Sequence, residues 1–441
     1  MIARLREWWG SSASARAFPK VIGPADPVLT AVVVALVAFG VVMVFSASAV
    51  FASQRYDAPF HFLIRQGSFA VIGLGVMLAV ARIDYHRYRR FTYVALSAAV
   101  LLLLAVVLGM GRTAGGASRW IQVGPVNIQP AEAAKLALIL WLAYSLSKKH
   151  DRIRSFQIGF LPHVLVAGLL ALLCLRQPDF GSAVMIVLLT FVLLFTAGAR
   201  LGYLLGATLL ALPIVYFLIA LNPYRMNRIQ AFLAPFEHRY GVGYQVAESL
   251  MSFGAGGATG VGIGDSRQKL FYLPEAHTDF ISAIVGEELG FVGVLFLTFA
   301  FVVVVWRGLR ISTRAADQYG TYLAVGITMF IGLQAFTNLA VAMGLVPTKG
   351  LTLPFLSYGG SSLLVNCAAV GIVLNVSRER ELLEETSEAS REREAFGRGR
   401  GDPRGSSPRG EGSSREPSRK KKGRRNHRKG KRQLALNGGT G

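Results

Sequence analysis

VLTAVVVALVAFGVVMVF, residues 28–45, is a run of eighteen residues without a charge. That length and apolarity suit a helix crossing the hydrocarbon core of a bilayer, and a soluble core has no need of it. SAVMIVLLTFVLLFTAG, residues 182–198, repeats the signal. Working outward gives ten apolar stretches: 28–50, 62–81, 92–110, 131–147, 158–175, 181–198, 201–221, 279–306, 319–345 and 353–376. They are continuous rather than alternating, which excludes a transmembrane barrel. Helices then remain as the way to satisfy the backbone in lipid. The sequence predicts an all-α integral membrane protein, a polytopic bundle of about ten transmembrane helices. A long extracytoplasmic loop separates spans seven and eight.

Composition agrees. Of 441 residues, 52% are apolar and 16% charged, with a mean hydropathy of +0.44. Soluble domains carry about 25% charge, so a soluble enzyme, a disulfide scaffold and a disordered chain are all excluded. Cys174 and Cys367 both sit in apolar segments, and no metal-type Cys/His spacing exists. The basic N-terminus, apolar run and SASA at 46–49 have the order of a signal peptide, but the run is too long for one.

The net charge is +22, and residues 377–441 hold 19 Lys/Arg against 10 Asp/Glu. Three regions follow: a cytoplasmic N-terminal segment at 1–27, a membrane domain at 28–376 and a disordered basic cytoplasmic tail at 377–441. Lys and Arg favour the cytoplasmic side of short loops. Sixteen fall on the side of residues 1–27, 82–91, 148–157, Arg200 and 307–314, and six in the short loops of the other side, the long segment 222–278 being left out of the count. Both termini are therefore expected in the cytoplasm, with 51–61, 111–130, 222–278 and 346–352 outside. The glycines of GAGGATGVGIGDS (254–266) fit no nucleotide loop and read as flexible close packing.

Charge inside a membrane is expensive and marks function. Three clusters lie towards the outer face. In ASRWIQVGPVNIQPAEAAKLALILW (117–141), Arg119 precedes a strand-like stretch, and Glu132 and Lys135 share a helix face. That pair reads equally as a structural ion pair or as part of an anion site. In FYLPEAHTDFISAIVGEELGF (271–291), Glu275 ends the outer loop and Thr278 stands where a helix cap belongs. Asp279 is either a helix N-terminal charge or a general base, since its apolar neighbours Phe280 and Ile281 disfavour the charged form. Glu287 and Glu288 are too deep for a terminal role. In GLVPTKGLTLPFLSYGGSSL (344–363), prolines and glycines break the apolar run around Lys349, with Ser357 further on. Broken backbone at membrane depth lines cavities. Lys349 is a phosphate-binding charge or a snorkelling lysine. Together the clusters suit a lipid-linked anionic substrate at the outer leaflet, whether an enzyme or a transporter handles it.

Six motifs resemble the SEDS family (shape, elongation, division and sporulation), most closely its cell-division members. They are SRWI…IQPAEAAKL (118–136), QPDFGSA (177–183), PYRMNRIQAFLAP (223–235), GYQVAESL (243–250), LPEAHTDFISAIVGEELGFVG (273–293) and GLVPTKGLTLPFLSYGGSS (344–362). The resemblance implies a peptidoglycan glycosyltransferase that polymerises lipid II at the division septum of the cytoplasmic membrane. It implies Asp279 as the general base, with inversion at the anomeric carbon. Arg119, Lys135 and Lys349 are then candidates to steady the departing pyrophosphate, with Mg²⁺ or Mn²⁺ as a candidate cofactor. Glu132 with Lys135, and Glu275 or Glu287, are candidates to shape the substrate pocket or to hold that metal, and Ser357 is a further candidate to bind substrate. The implied partners are a class B penicillin-binding protein and other divisome membrane proteins, and no nucleic acid. A lipid II flippase and a non-catalytic divisome scaffold are the competing functions. The run SRKKKGRRNHRKGKR (418–432) reads as a solvated tail or as a contact for anionic lipid or division proteins.

Overall fold

The computed structural model describes residues 24–378, except 115–116, 125, 270–271, 275 and 349. The candidates Glu275 and Lys349 lie outside the described residues, as do the expected tail beyond Arg378 and most of the N-terminal segment. The chain divides into a compact unit over Met1–Ala389 and a second over Ser390–Gly441 that falls wholly outside the described residues.

Among the described residues, twelve helices and three strands follow in order. They are α1 Pro27–Tyr56, α2 His61–Ala81, α3 Tyr85–Met110, β1 Arg112–Ala114, β2 Ala117–Val123, β3 Val126–Ile128, α4 Pro130–Lys148, α5 Phe156–Arg176, α6 Phe180–Thr196, α7 Leu201–Ala220, α8 Pro223–Leu233, α9 Tyr244–Gly256, α10 Ile281–Ser312, α11 Gln318–Ala342 and α12 Gly360–Arg378. Eight of them (α1, α2, α3, α5, α7, α10, α11 and α12) are long and apolar enough to cross a membrane. The fourth and sixth expected spans correspond to α4, which carries Glu132 and Lys135 in its first two turns, and to α6, which has 17 residues.

Aspartates start four of these helices, Asp84 capping α3 by accepting from His86 N. Asp26 accepts from Leu29 N, Asp179 from Ser182 N and Asp317 from Gly320 N, each satisfying an otherwise orphaned donor. The centre of the bundle is α11, which packs on α4, α6, α9 and α10. The apolar windows of α11 and α12 are 72% and 78% buried, against 6% for α7 at the periphery.

Polar contacts gather at the two ends. At one, Arg307 pairs with Asp26, and the Asp26 amide donates to Ser377 Oγ over 3.1 Å. Tyr85 OH donates to Asp317 Oδ1 over 2.9 Å, Arg89 pairs with Asp317, and Asn375 Nδ2 donates to Ala81 O over 2.9 Å. The other end holds the three-stranded sheet, the turn 177–179, and the described residues of 223–280 and 343–359.

The eighth expected span differs in detail from its sequence reading. Its helix, α10, begins at Ile281, and Phe280 stands at the N-cap without a side-chain bond, so Thr278 does not cap it. It also breaks at Gly290, with φ +65° and ψ −163°. The glycine stretch folds back onto that break. Val261 N donates to Glu287 O, Gly262 N to Glu288 O and Phe291 N to Gly257 O, all within 3.1 Å. A Cβ on Gly256 would stand 2.0 Å from Gly286 O, and one on Gly260 2.1 Å from Glu288 O. The expected close packing is thus backbone against backbone.

Candidate functional site

Asp279 stands two residues before α10, half-buried beside the buried, apolar Phe280 and Ile281. Its segment is held through three successive main-chain carbonyls. His277 O accepts from Tyr358 N over 2.9 Å, Thr278 O from Ser357 Oγ over 2.5 Å, and Asp279 O from Asn338 Nδ2 over 2.8 Å. None of these three bonds uses the Asp279 carboxylate.

Two other segments converge on that side chain. A Cβ placed on Gly350 would lie 3.2 Å from Asp279 Oδ2 and 3.5 Å from Arg119 Nη1. Carboxylate and guanidinium therefore both approach one backbone position, where an added Cβ would meet the carboxylate oxygen in tight contact. Arg119 projects from β2 and is aimed by the turn between α5 and α6. Its Nε donates to Gln177 O over 3.3 Å and its Nη2 to Pro178 O. Gln177 is in turn held through Nε2 to Leu103 O at 2.8 Å. Arg228 on α8 donates to Thr348 O over 3.0 Å, tying the long loop to the same turn.

The remaining candidates sit deeper. Lys135 is fully buried and donates to Glu132 Oε1 over 2.7 Å and to Gln334 Oε1 over 3.3 Å. Its ammonium also lies 5.1 Å from the Phe330 ring centroid, where the ring face favours a cation. Glu132 Oε2 is buried without a hydrogen-bond partner among the described residues. The pair braces α4 against α11. Ser357 is buried, accepting from Leu353 N over 2.8 Å while donating to Thr278 O. Glu287 accepts from Arg267 N over 3.0 Å and from Ser266 Oγ and Gln268 N, so it anchors the folded-back loop. Glu288 accepts from Ser46 Oγ over 2.6 Å and lies 3.7 Å from Lys269 Nζ.

Among the described residues no three His, Cys, Asp or Glu side chains gather as a metal site. Sequence reasoning passed over Gln334, Asn338 and Thr352, which hold the Gly350 segment. Gln334 Nε2 donates to Thr352 O over 3.1 Å, and Asn338 Nδ2 to Leu351 O over 2.7 Å. Two amides four residues apart in an apolar run were the available signal.

Known proteins resemble this chain over most of its length. The family model FTSW_RODA_SPOVE, described as "Cell cycle protein", matches residues 27–382. A protein named "Probable peptidoglycan glycosyltransferase FtsW" from Geobacter sulfurreducens is 47% identical over 353 residues, covering 80% of this chain and 95% of its own. Stage V sporulation protein E of Bacillus subtilis is 43% identical over 354 residues, covering 80% and 97%. Among solved structures, a chain from work on "polymerization and crosslinking by a peptidoglycan synthase complex" superposes with a TM-score of 0.68 at 30% identity, covering 81% and 98%. The crystal structure of the rod shape determining protein RodA from Thermus thermophilus gives 0.60 at 29% identity, covering 81% and 97%. With a family model across most of its length and relatives above 40% identity, this multi-pass membrane chain belongs to the FtsW, RodA and SpoVE family of cell cycle proteins, the SEDS proteins.

Proposed function

We propose that the chain is a peptidoglycan glycosyltransferase of cell division that polymerises lipid II, with Asp279 as its general base. The observation that carries this is the meeting of the Asp279 carboxylate and the Arg119 guanidinium across Gly350. A transfer between two lipid-linked sugars asks for one group to accept a proton and another to meet developing negative charge, close together.

The acceptor 4-hydroxyl gives its proton to the Asp279 carboxylate. Its oxygen then forms a bond to the anomeric carbon of the donor sugar. The bond from that carbon to the pyrophosphate breaks on the opposite face, and the electron pair leaves with the lipid pyrophosphate, inverting the carbon. Asp279 afterwards releases the proton to water. Arg119 faces the same position and offsets the charge on the departing group, together with Lys349 beside Gly350. Lys135 and Glu132, being buried, support the site from beneath rather than touch the pyrophosphate.

In this reading the ten long helices α1–α7 and α10–α12 all cross the cytoplasmic membrane, with both termini in the cytoplasm and Asp279 outside. The leaving lipid keeps its tail in the bilayer while its headgroup reaches the site. A class B penicillin-binding protein supplies the crosslinking at the septum.

The test gives lipid II and divalent cation to purified protein, alone and with its cognate class B penicillin-binding protein, and resolves glycan strands on a gel. Polymer from wild type and none from Asp279→Asn of equal stability is the expected result. Wild-type-like polymer from Asp279→Asn would falsify the role of the base. No polymer from folded, partner-bound wild type would remove the enzyme.

A further inference from the structure

We infer that Gln334 and Asn338 form a positioning clamp by which α11 fixes the Gly350 segment against Asp279, so that this helix sets where the base meets its substrate. The inference rests on the glycosyltransferase reading and names the residues that give that site its shape.

The two amides lie four residues apart, on one face of α11. They are 0% and 2% exposed, so neither reaches a substrate. Asn338 Nδ2 bonds to two carbonyls from different segments, Asp279 O at 2.8 Å and Leu351 O at 2.7 Å. One nitrogen therefore sets the spacing between the base and the strand that faces it. Its Oδ1 accepts from Ser282 Oγ over 3.2 Å, locking the amide's orientation against the first turn of α10.

Gln334 holds only the facing segment, one turn earlier. Its Nε2 donates to Thr352 O and to Thr352 Oγ1 over 3.1 and 3.2 Å, while its Oε1 accepts from Lys135 Nζ. The cation thus polarises the amide that holds Thr352. Thr352 Oγ1 lies 3.0 Å from Ser362 Oγ at the start of α12. A continuous set of bonds then runs from Glu132 on α4 through α11 to Gly350's neighbours and α12. From Lys135 onward these buried bonds tie α4, α11, the 350–353 segment and α12 together, and such bonds stiffen what they join. A base misplaced by about 1 Å costs on the order of 10²-fold in rate.

The experiment uses the full chain in lipid nanodiscs with Asn338→Leu, a substitution of similar size that removes every bond of the amide. Thr328→Val, on the same helix against Gly308, is the control. Hydrogen exchange is followed by mass spectrometry over 278–282 and 350–353, and polymer formation is measured against lipid II concentration. The expected result is faster exchange in both segments and a kcat lower by roughly 10²-fold with KM little changed. The control should change neither. Wild-type exchange in Asn338→Leu overturns the clamp, and faster exchange with wild-type kcat overturns its positioning role. If wild type makes no polymer, the enzyme reading fails and the exchange data still decide the clamp. If Asn338→Leu does not fold, Gln334→Leu takes its place, with faster exchange expected over 350–353 and a lower kcat; wild-type exchange there overturns the clamp.

Discussion

The two ends of the bundle use similar residues for opposite purposes. At the end near Asp317, charge is closed on charge. Asp317 takes bonds from Tyr85 OH and Gly320 N, pairs with Arg89 and lies 3.4 Å from His86 Nε2, and Asp26 is matched by Arg307. At the end near Asp279, the three bonds that hold the segment go to main-chain carbonyls. One end uses its carboxylates to hold helices together. Around Asp279 the chain is fixed through its carbonyls, while Glu287 and Glu248 at that same end hold loop segments by their carboxylates.

Substitutions test that contrast, and Asp279→Asn has the largest expected effect. Polymerisation should fall by about 10²–10⁴-fold, the usual contribution of a positioned base, with an unchanged melting temperature. Strand synthesis and thermal unfolding in detergent, measured side by side, check both halves. Arg119→Ala should follow, lowering kcat by about 10²–10³-fold, as losing one charge-stabilising donor does. If Arg119→Ala raised KM alone, its place would be ground-state binding rather than the leaving group.

The buried pair Glu132–Lys135 should show up in stability. Lys135→Ala leaves a carboxylate uncompensated and should cost about 3–5 kcal/mol, whereas Glu132→Gln with Lys135→Met should recover much of it. Equal losses in the single and double variants, read from denaturation midpoints, would contradict a mutual pair.

The smallest effect is expected at the opposite end. Burial raises the Asp317 carboxyl, but bonds from His86, Gly320 and Tyr85 and the charge of Arg89 outweigh it and hold the group at about 2. A group depressed on folding lends stability above its unfolded value and loses it as pH falls through the folded one. Asp317 should therefore contribute on the order of 1 kcal/mol at neutral pH, allowing for screening at a partly exposed site. That contribution should drain away between about pH 4 and 2. Asp317→Asn should flatten this part of a melting-against-pH curve while leaving strand synthesis per folded molecule intact.

Much of this was legible in the sequence. The apolar runs at 28–45 and 182–198 became α1 and α6, and the alternating stretch after Arg119 became β2 and β3. Asp279 and Arg119 were named from charge in an apolar setting, and the fold brings both to Gly350. The fate of Glu287 was not legible. Its partners at 266–268 reach it through the break at Gly290 and the returning loop, neither of which has a local signal. Gln334 and Asn338 were missed for a related reason. A neutral amide in an apolar helix costs less than a charge, so hydropathy hardly registers it, and its partners lie 13 to 199 residues away.

The backbone-to-backbone seam at Gly256, Gly260 and Gly290 has a genetic consequence. A methyl group on Gly290 would sit 2.4 Å from Gly260 N, and both glycines already hold positive φ. Every missense change at these codons adds a side chain where none fits. Random mutagenesis screened for strains that divide at low temperature and fail when warmed should therefore collect alleles along this seam, far from the residues that meet substrate.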